Sequence, residues 1–276
     1  MVKKSIIFVT VLILILGCAT NVIIKNTPVL LEQKFTEGLV LKYKISETMT
    51  TTMVIKNTTQ DQNMNMGYTI STEIEKTVGD TIYMNVSIDK SEGSAIVSGT
   101  MQPIPNVNEL EGKVFKVVLL KSGMVLSMES DFENDTNSME SNMKGYIQEI
   151  FCLLPNKQVR VGDKWENELK EEEYSSHSIY TLDGFQKSKE EKEDTNISVE
   201  SAVSLNKIID EEQVIIRMEI SGKTKGNIIC SLEDGFVSSA KLHSAMEGTS
   251  FIEGTPMGAM EIPTYVNLDT EIKRIR

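Results

Sequence analysis

Few side chains in this 276-residue sequence are of a kind that does chemistry, and their spacing does not assemble a reaction centre. There are two histidines, His177 and His243. His177 stands in Ser175-Ser176-His177-Ser178, where serine beside histidine invites a hydrolase reading. Neighbouring residues of a strand point to opposite faces, and no strand–turn–helix elbow surrounds these serines. A solvated histidine is the better reading. His243 follows Leu242 in an alternating run and is expected to face solvent. Histidine, cysteine and carboxylate side chains do not gather at ligand spacing, so no metal site is expected. The run Glu171-Glu172-Glu173 lacks the glycine-bearing loop of a calcium site. A glycine-rich phosphate cradle is also missing. Paired carboxylates for glycoside chemistry are set by spatial proximity, and none of the 40 acidic residues is singled out. Neither catalysis nor a cofactor is expected.

Sulfur is the remaining signal. Cys152 and Cys230 lie in apolar stretches, Ile150 to Leu154 and Ile228 to Cys230. Two readings stand for them: a disulfide in an oxidising compartment, or two buried free thiols acting as small hydrophobes. Of the fifteen methionines, Met49, Met53, Met84, Met218 and Met246 occupy apolar strand positions. Met139 and Met143 lie on the apolar side of a helical pattern. Methionine is pliant and polarizable, and it lines surfaces that accept varied apolar partners. These seven residues line a hollow for a hydrophobic molecule, or they fill the core of a β protein.

The start of the chain carries an address. Lys3 and Lys4 form a positive n-region, and Ile6 to Leu16 is apolar except for Thr10. This describes a secretory signal, too short to span a bilayer, which takes about 20 residues. Its end, Ile15-Leu16-Gly17-Cys18, resembles the lipobox of bacterial lipoproteins, in which the cysteine thiol takes a diacylglycerol and becomes the new N-terminus. Ile15 and Leu16 depart from the usual lipobox residues, while Gly17 and Cys18 fit. The resemblance implies residues 1–18 as leader ending at a lipidated Cys18, with palmitate-type chains holding the protein to a membrane. Residues 19–35 then read as a tether and 36–276 as one β-rich domain. The leader holds two of the 28 basic residues, leaving 26 against 40 acidic ones, a formal charge of −14. Such a balance repels phosphate backbones and anionic headgroups, so nucleic acid is not an expected partner.

Period-two alternation dominates the rest. From Leu39 to Ile55 the odd positions include Leu39, Leu41, Tyr43, Ile45, Met49, Met53 and Ile55, against Lys, Ser and Thr between them. A run this long predicts a bend or bulge near Glu47. Further strands are predicted at Tyr68–Val78, Ile82–Ile88, Ser94–Met101, Lys113–Leu120 and Met124–Ser130. A long hairpin is expected from Trp165 to Leu182 and back along Ile197–Leu205, with a charged tip at 186–194. Strands at Val214–Ile220, Phe236–Met246 and Ile262–Ile272 follow. One amphipathic helix is predicted around 138–154, from Met139, Met143, Ile147, Ile150, Phe151 and Leu154, with Pro155 as its stop. The stretches 36–135 and 160–276 repeat a similar layout on either side of that helix, which points to a two-fold internal repeat.

These elements predict a mainly β fold: a large curved antiparallel sheet, half-barrel-like, with the helix in its hollow. The architecture resembles that of LolA-like and LppX-like lipoprotein carriers. The run Leu154-Pro155, then Val159-Arg160-Val161-Gly162-Asp163-Lys164-Trp165, is similar to the signature of a family of uncharacterised bacterial lipoproteins built on a domain of unknown function. Physically, Pro155 ends the helix, Gly162-Asp163 turns the chain, and Trp165, the lone tryptophan, plugs the core. The resulting expectation is a non-enzymatic cell-envelope lipoprotein at the outer membrane or cell surface that binds a hydrophobic ligand. The alternatives are an envelope scaffold that binds another protein through a filled core and, third, an envelope hydrolase. Cells fed a clickable palmitate analogue should label the wild-type protein, and Cys18→Ser should abolish the label; equal labelling of both would remove the anchor.

Overall fold

The computed structural model describes residues 27–275, apart from 98–99, 105–106, 131–135, 152–153, 156, 171–172, 189–191, 212–213 and 255–257. The leader, Cys18 and Cys152 therefore lie outside the described residues. The first half comprises β1 (Val29–Leu30), β2 (Val40–Ile55), β3 (Thr58–Val78), β4 (Thr81–Val97), β5 (Thr100–Pro103), a 3₁₀ turn (Val107–Leu110), β6 (Val114–Leu120) and β7 (Val125–Ser130). Helix α1 (Thr136–Ile150) follows. The second half comprises β8 (Gln158–Val159), β9 (Lys164–Lys170), β10 (Tyr174–Lys187), β11 (Glu193–Glu211), β12 (Val214–Ser231), β13 (Val237–Glu253) and β14 (Met260–Ile275).

One twelve-stranded antiparallel sheet holds all but β1 and β8, in the order β7-β6-β4-β3-β2-β14-β13-β12-β11-β10-β9, with β5 on β4. The sheet keeps two free edges and does not close into a barrel. Its curvature follows from its core, because Phe115 on β6, Tyr43 on β2, Leu182 on β10 and the α1 residues Ile147 and Ile150 share one buried cluster. A flat sheet of this width could not bring those side chains together. Alternation decides the faces: Leu41, Tyr43 and Ile45 are buried while Lys42, Lys44 and Ser46 are exposed. The β2–β3 hairpin turns on Lys56 and Asn57, with φ of 49° and 63°, the left-handed pair that a two-residue hairpin requires.

Several sequence expectations are corrected. No register shift interrupts β2 near Glu47 on either side. The bulges fall instead on the next hairpin, where Thr69 pairs Lys90 and Ile70 pairs Ile88, leaving Asp89 extra. Glu75 is extra in the same way, between the Ile74–Met84 and Lys76–Tyr83 pairs. That bulge at Asp89 carries β4 through what read as two separate strands, and the chain then reverses into β5. The Trp165–Leu182 arm is two strands: β9 and β10 pair antiparallel, so the chain reverses between Lys170 and Tyr174. The repeat survives as two meanders, but the first runs outward from the sheet centre and the second runs inward, without strand-for-strand matching. Helix α1 runs to Ile150, short of residue 154; Phe151 still donates to Ile147 O at 2.9 Å, and Phe151 and Leu154 are both buried.

The tether is also shorter than expected. Val29 and Leu30 pair with Val159 and Gln158, and Leu31 is buried. Phe35 packs on Phe236 and Phe151, with ring centroids 5.3 and 6.0 Å apart. An apolar segment with these partners gains more by docking than by remaining in water. Trp165 is buried and stacks on Tyr180 at 5.7 Å, as the core plug predicted. Among the described residues no helix is long and apolar enough to cross a membrane.

Glycines set the tight curvature between β12 and β13. A Cβ on Gly222 would run into the carbonyl oxygen of Ala245, and one on Gly226 into that of Lys241. Gly145 on α1, by contrast, has open space where a Cβ would go. Gly222→Ala should therefore destabilise the fold by roughly 2–4 kcal/mol. Gly145→Ala should stabilise it by about 1 kcal/mol. Urea unfolding of the two variants checks both signs.

Candidate functional site

The inner face of the sheet divides into two regions. At the closed end it is covered by α1, the β1–β8 pair and the Phe35–Phe151–Phe236 cluster. There Met84 and Met143, at 1% and 2% exposed, are ordinary core residues. Towards the open end, beyond Glu47, burial of the same face is mixed: Ser250 on β13 and Ile262, Thr264 and Val266 on β14 remain buried. Met49 and Met53 on β2, Met218 on β12 and Met246 on β13 continue the inward-facing positions and are only partly buried. The side chain of Met139 lies outside the described residues. The structure thus sorts the methionines into core fillers and residues of an exposed floor.

Sequence reasoning missed part of that floor. Met64 on β3, directly opposite Met49, shares the face, and so does Met260 on β14, while Met66, opposite Glu47, packs against the core. Their alternation with Asn63, Asn65 and Gly67 was the available signal. Around them lie Leu205, Ile216, Ile252 and Leu268, also partly buried. The polar residues on this floor satisfy one another: Ser178 with Ser201 at 2.7 Å, Thr224 with Ser244 at 2.7 Å, and Ser250 with Thr264 at 2.9 Å. A floor of apolar groups and self-paired hydroxyls presents few polar atoms to an arriving apolar molecule. It is an open trough. Two shallow concavities of about 70 and 190 Å³ lie elsewhere, one beside Lys44, Lys90 and Glu92 and the other beside Tyr83, Lys116 and Glu129.

The outer face is a solvated lattice of ion pairs. Lys42 meets Asp89 at 3.0 Å, Lys225 meets Glu200 at 3.1 Å and Lys241 meets Glu271 at 2.6 Å. Both histidines belong to it. His243 Nδ1 lies 2.8 Å from Asp269, and His177 Nε2 lies 3.8 Å from Glu166, each with half or more of its side chain exposed. Among the described residues no serine is hydrogen-bonded to either histidine, and such exposed pairs contribute little stability. Cys230 is buried in the core, and Cys152 lies outside the described residues. Among the described residues no group of His, Cys, Asp and Glu side chains could hold a metal ion.

Where the covered and open regions meet, α1 and the sheet share a buried acidic cluster. Tyr146 on α1 donates its hydroxyl to Glu47 Oε2 at 2.6 Å, and Thr270 on β14 donates to Glu47 Oε1 at 3.2 Å. The Tyr68 and Tyr146 rings lie 5.5 Å apart beside it. Burial raises the Glu47 carboxyl above its ordinary value, against those two hydrogen bonds. Burial, then the nearby Glu47, pushes the Glu149 carboxyl up to about 8. Glu149 Oε2 is buried and has no hydrogen-bond partner. Nothing in the local sequence singled out these two acids among 40.

Comparison with known proteins places this geometry. Residues 41–237 match a family of unknown function (DUF6263), a span that contains the Leu-Pro to Trp165 stretch, and the chain belongs to that family. No curated protein matches the chain. Among solved structures, one of lipovitellin, described for its lipid–protein interactions, is similar at a TM-score of 0.53 with 11% identity. That likeness covers 88% of this chain and 26% of lipovitellin, so the chain spans about a quarter of it and shares the fold alone. An outer membrane channel from Pseudomonas putida F1 aligns over 88% of this chain and 98% of its own, at 7% identity and a TM-score of 0.22. A putative outer membrane lipoprotein-sorting protein domain from Vibrio parahaemolyticus aligns over 84% and 85%, at 10% identity and a TM-score of 0.15. The last two superpose too loosely to carry an argument.

Glu149 makes stability depend on pH in a defined direction. Its carboxyl holds a proton in the folded chain up to about pH 8 and loses it near 4.5 once unfolded. The folded state therefore binds the extra proton between those values, and stability falls as pH rises through that window. Glu149→Gln should flatten this slope, leaving the variant close to wild type at pH 4.5 and more stable by roughly 1–3 kcal/mol at pH 8.5. Urea titrations of both proteins across the range measure the difference.

Proposed function

We propose that this family member is a membrane-anchored lipoprotein of the cell envelope that binds a hydrophobic molecule without catalysis, along the methionine-lined inner face of its sheet. The observation that carries the reading is the methionine-rich half of that face. Six methionines (Met49, Met53, Met64, Met218, Met246 and Met260) are aligned there by strand register and left partly exposed. Burying such a floor under an apolar guest gains about 25 cal/mol for each Å² removed from water. Methionine side chains repack at low cost, so the guest need not have one fixed shape. The fold likeness to lipovitellin, a protein whose structure was described for its lipid–protein interactions, supports the same reading. The anchor would be the lipid on Cys18, with the acidic domain held clear of anionic headgroups by its own charge. Because the chain is docked from Val29, the linker between anchor and fold is only about ten residues, at most some 35 Å when extended.

A second reading rests on the opposite face. Ile208 and Ile215 are 61% and 41% exposed at the open end of β11 and β12, beside Phe251 under the Arg217 guanidinium. An exposed apolar group of this kind suits a protein partner.

Mature protein purified without detergent should carry a co-purifying lipid in native mass spectrometry, or should bind a fluorescent apolar probe. Met218→Asp combined with Met246→Asp should weaken that binding by tenfold or more on the order of 1–2 kcal/mol per buried group, with the circular dichroism spectrum unchanged. A clean apo mass and no probe binding would sink the ligand reading and leave the partner surface.

A further inference from the structure

A single positive charge on the trough points to one kind of head group, and the argument rests on the apolar-face reading above. Burial fixes which side chains of β11 face inward. Ile197, Val199 and Val203 are buried, and Leu205 and Lys207 follow at the same parity, each partly buried. Asn206 and Ile208, at the other parity, are exposed. Register agrees, because Lys207 stands directly opposite Met218 on β12. Lys207 is therefore a lysine on the apolar face. Among the described side chains of the strands, it is the charge at an inward position of the open half beyond Glu47, in a chain with 40 acidic residues against 28 basic ones. The side chain of Glu211, farther along β11, lies outside the described residues.

The surroundings of Lys207 suit an amphiphile. Leu205 beside it on β11, Met218 and Ile216 on β12 and Ile252 on β13 are apolar and partly exposed. The neighbouring strand β10 begins at Tyr174, opposite Leu205, so the face ends at Lys207 on that side. A lysine at such a rim lays its stem along apolar neighbours and keeps its ammonium in water. No carboxylate among the described residues pairs with it. The lysines of the outer face, by contrast, meet Asp89, Glu200 and Glu271. A cation at the wet edge of an apolar surface offers a charge-assisted hydrogen bond to an anionic head. A cationic head in the same place meets repulsion, and an uncharged one gains from the apolar groups alone. One lysine balances one charge, which favours a singly charged head such as a carboxylate.

We propose that the guest is an amphiphile with a singly charged anionic head, of the fatty carboxylate type, held at Lys207 with its chain over Met218, Ile216 and Ile252. Three probes with twelve-carbon chains test this at pH 7.5, below their micelle concentrations: dodecanoate, dodecyltrimethylammonium and an uncharged dodecyl maltoside. Calorimetry on the mature protein should show dodecanoate binding more tightly than the ammonium, a preference that runs against the net negative charge of the chain. Lys207→Gln should weaken dodecanoate about tenfold, or about 1.4 kcal/mol, and leave the maltoside affinity in place. Lys207→Arg keeps the charge and should keep the dodecanoate affinity. Lys223→Gln, at an exposed outward position of β12, removes the same charge and should leave dodecanoate binding unchanged, which separates the site from the general field of the chain.

A dodecanoate affinity untouched by Lys207→Gln, or lowered equally by Lys223→Gln, would overturn the head-group assignment while leaving the apolar face standing. So would a loss shared by the maltoside, which reports packing at residue 207 rather than its charge, or a wild-type preference for the ammonium. Failure to bind any of the three would refute the apolar face, and this proposal with it.

Discussion

The ladder between β2 and β14 is the interaction on which the rest depends. Residues near the start and the end of the domain pair from Lys42–Ile275 to Met53–Thr264, and this seam alone joins the two meanders into one sheet. Without it each half would present a long unpaired edge, with open hydrogen-bonding groups and an uncovered apolar face. The seam closes a loop of more than two hundred residues, so it forms against a large entropy cost and is rewarded only by the full core. Pro263 shows how the chain respects it: it sits one residue beyond the last β2 partner, where no ladder donor is needed. Glu47 lies on the seam opposite Thr270, which places the buried acid at the join of the two halves.

The second constraint is cover. Strands of sixteen to twenty-one residues are long for a globular sheet, and a helix of fifteen residues covers only part of their length. The closed end spends the available cover: α1, the docked N-terminal segment and the β12–β13 turn all pack there. What remains is a face that is apolar by alternation yet open to solvent. Methionine concentrates on it, where a branched side chain would gain from a fixed partner that this half of the sheet lacks. Excess strand length and a single helix together leave that half of the face only partly buried at its methionines.

Charge is distributed to match. The outer face carries alternating lysine and carboxylate pairs that keep it wet and separate from other sheets. The inner face carries almost none, and its buried carboxylates, Glu47 and Glu149, sit where covered and open regions meet. Polar atoms buried at such a boundary are costly to the fold, and the cost is concentrated in one oxygen of Glu149.

The amino-acid pattern by itself determined the fold class, most strand positions, the helix and the core role of Trp165. Each of these follows from period two, period 3.6 or residue type, which are local properties. Leu41, Tyr43 and Ile45 announce a buried face whatever lies opposite them. Tertiary structure alone decided where β4 bulges at Asp89, that Trp165 and Leu182 lie on different strands, and which methionines are core and which are floor. Met84 and Met218 look alike in an alternating run; one lies under cover and the other does not. Glu47 and Glu149, about a hundred residues apart, gave no local sign of their meeting. Burial depends on what arrives from elsewhere in the chain, and long-range pairing across the sheet delivers it.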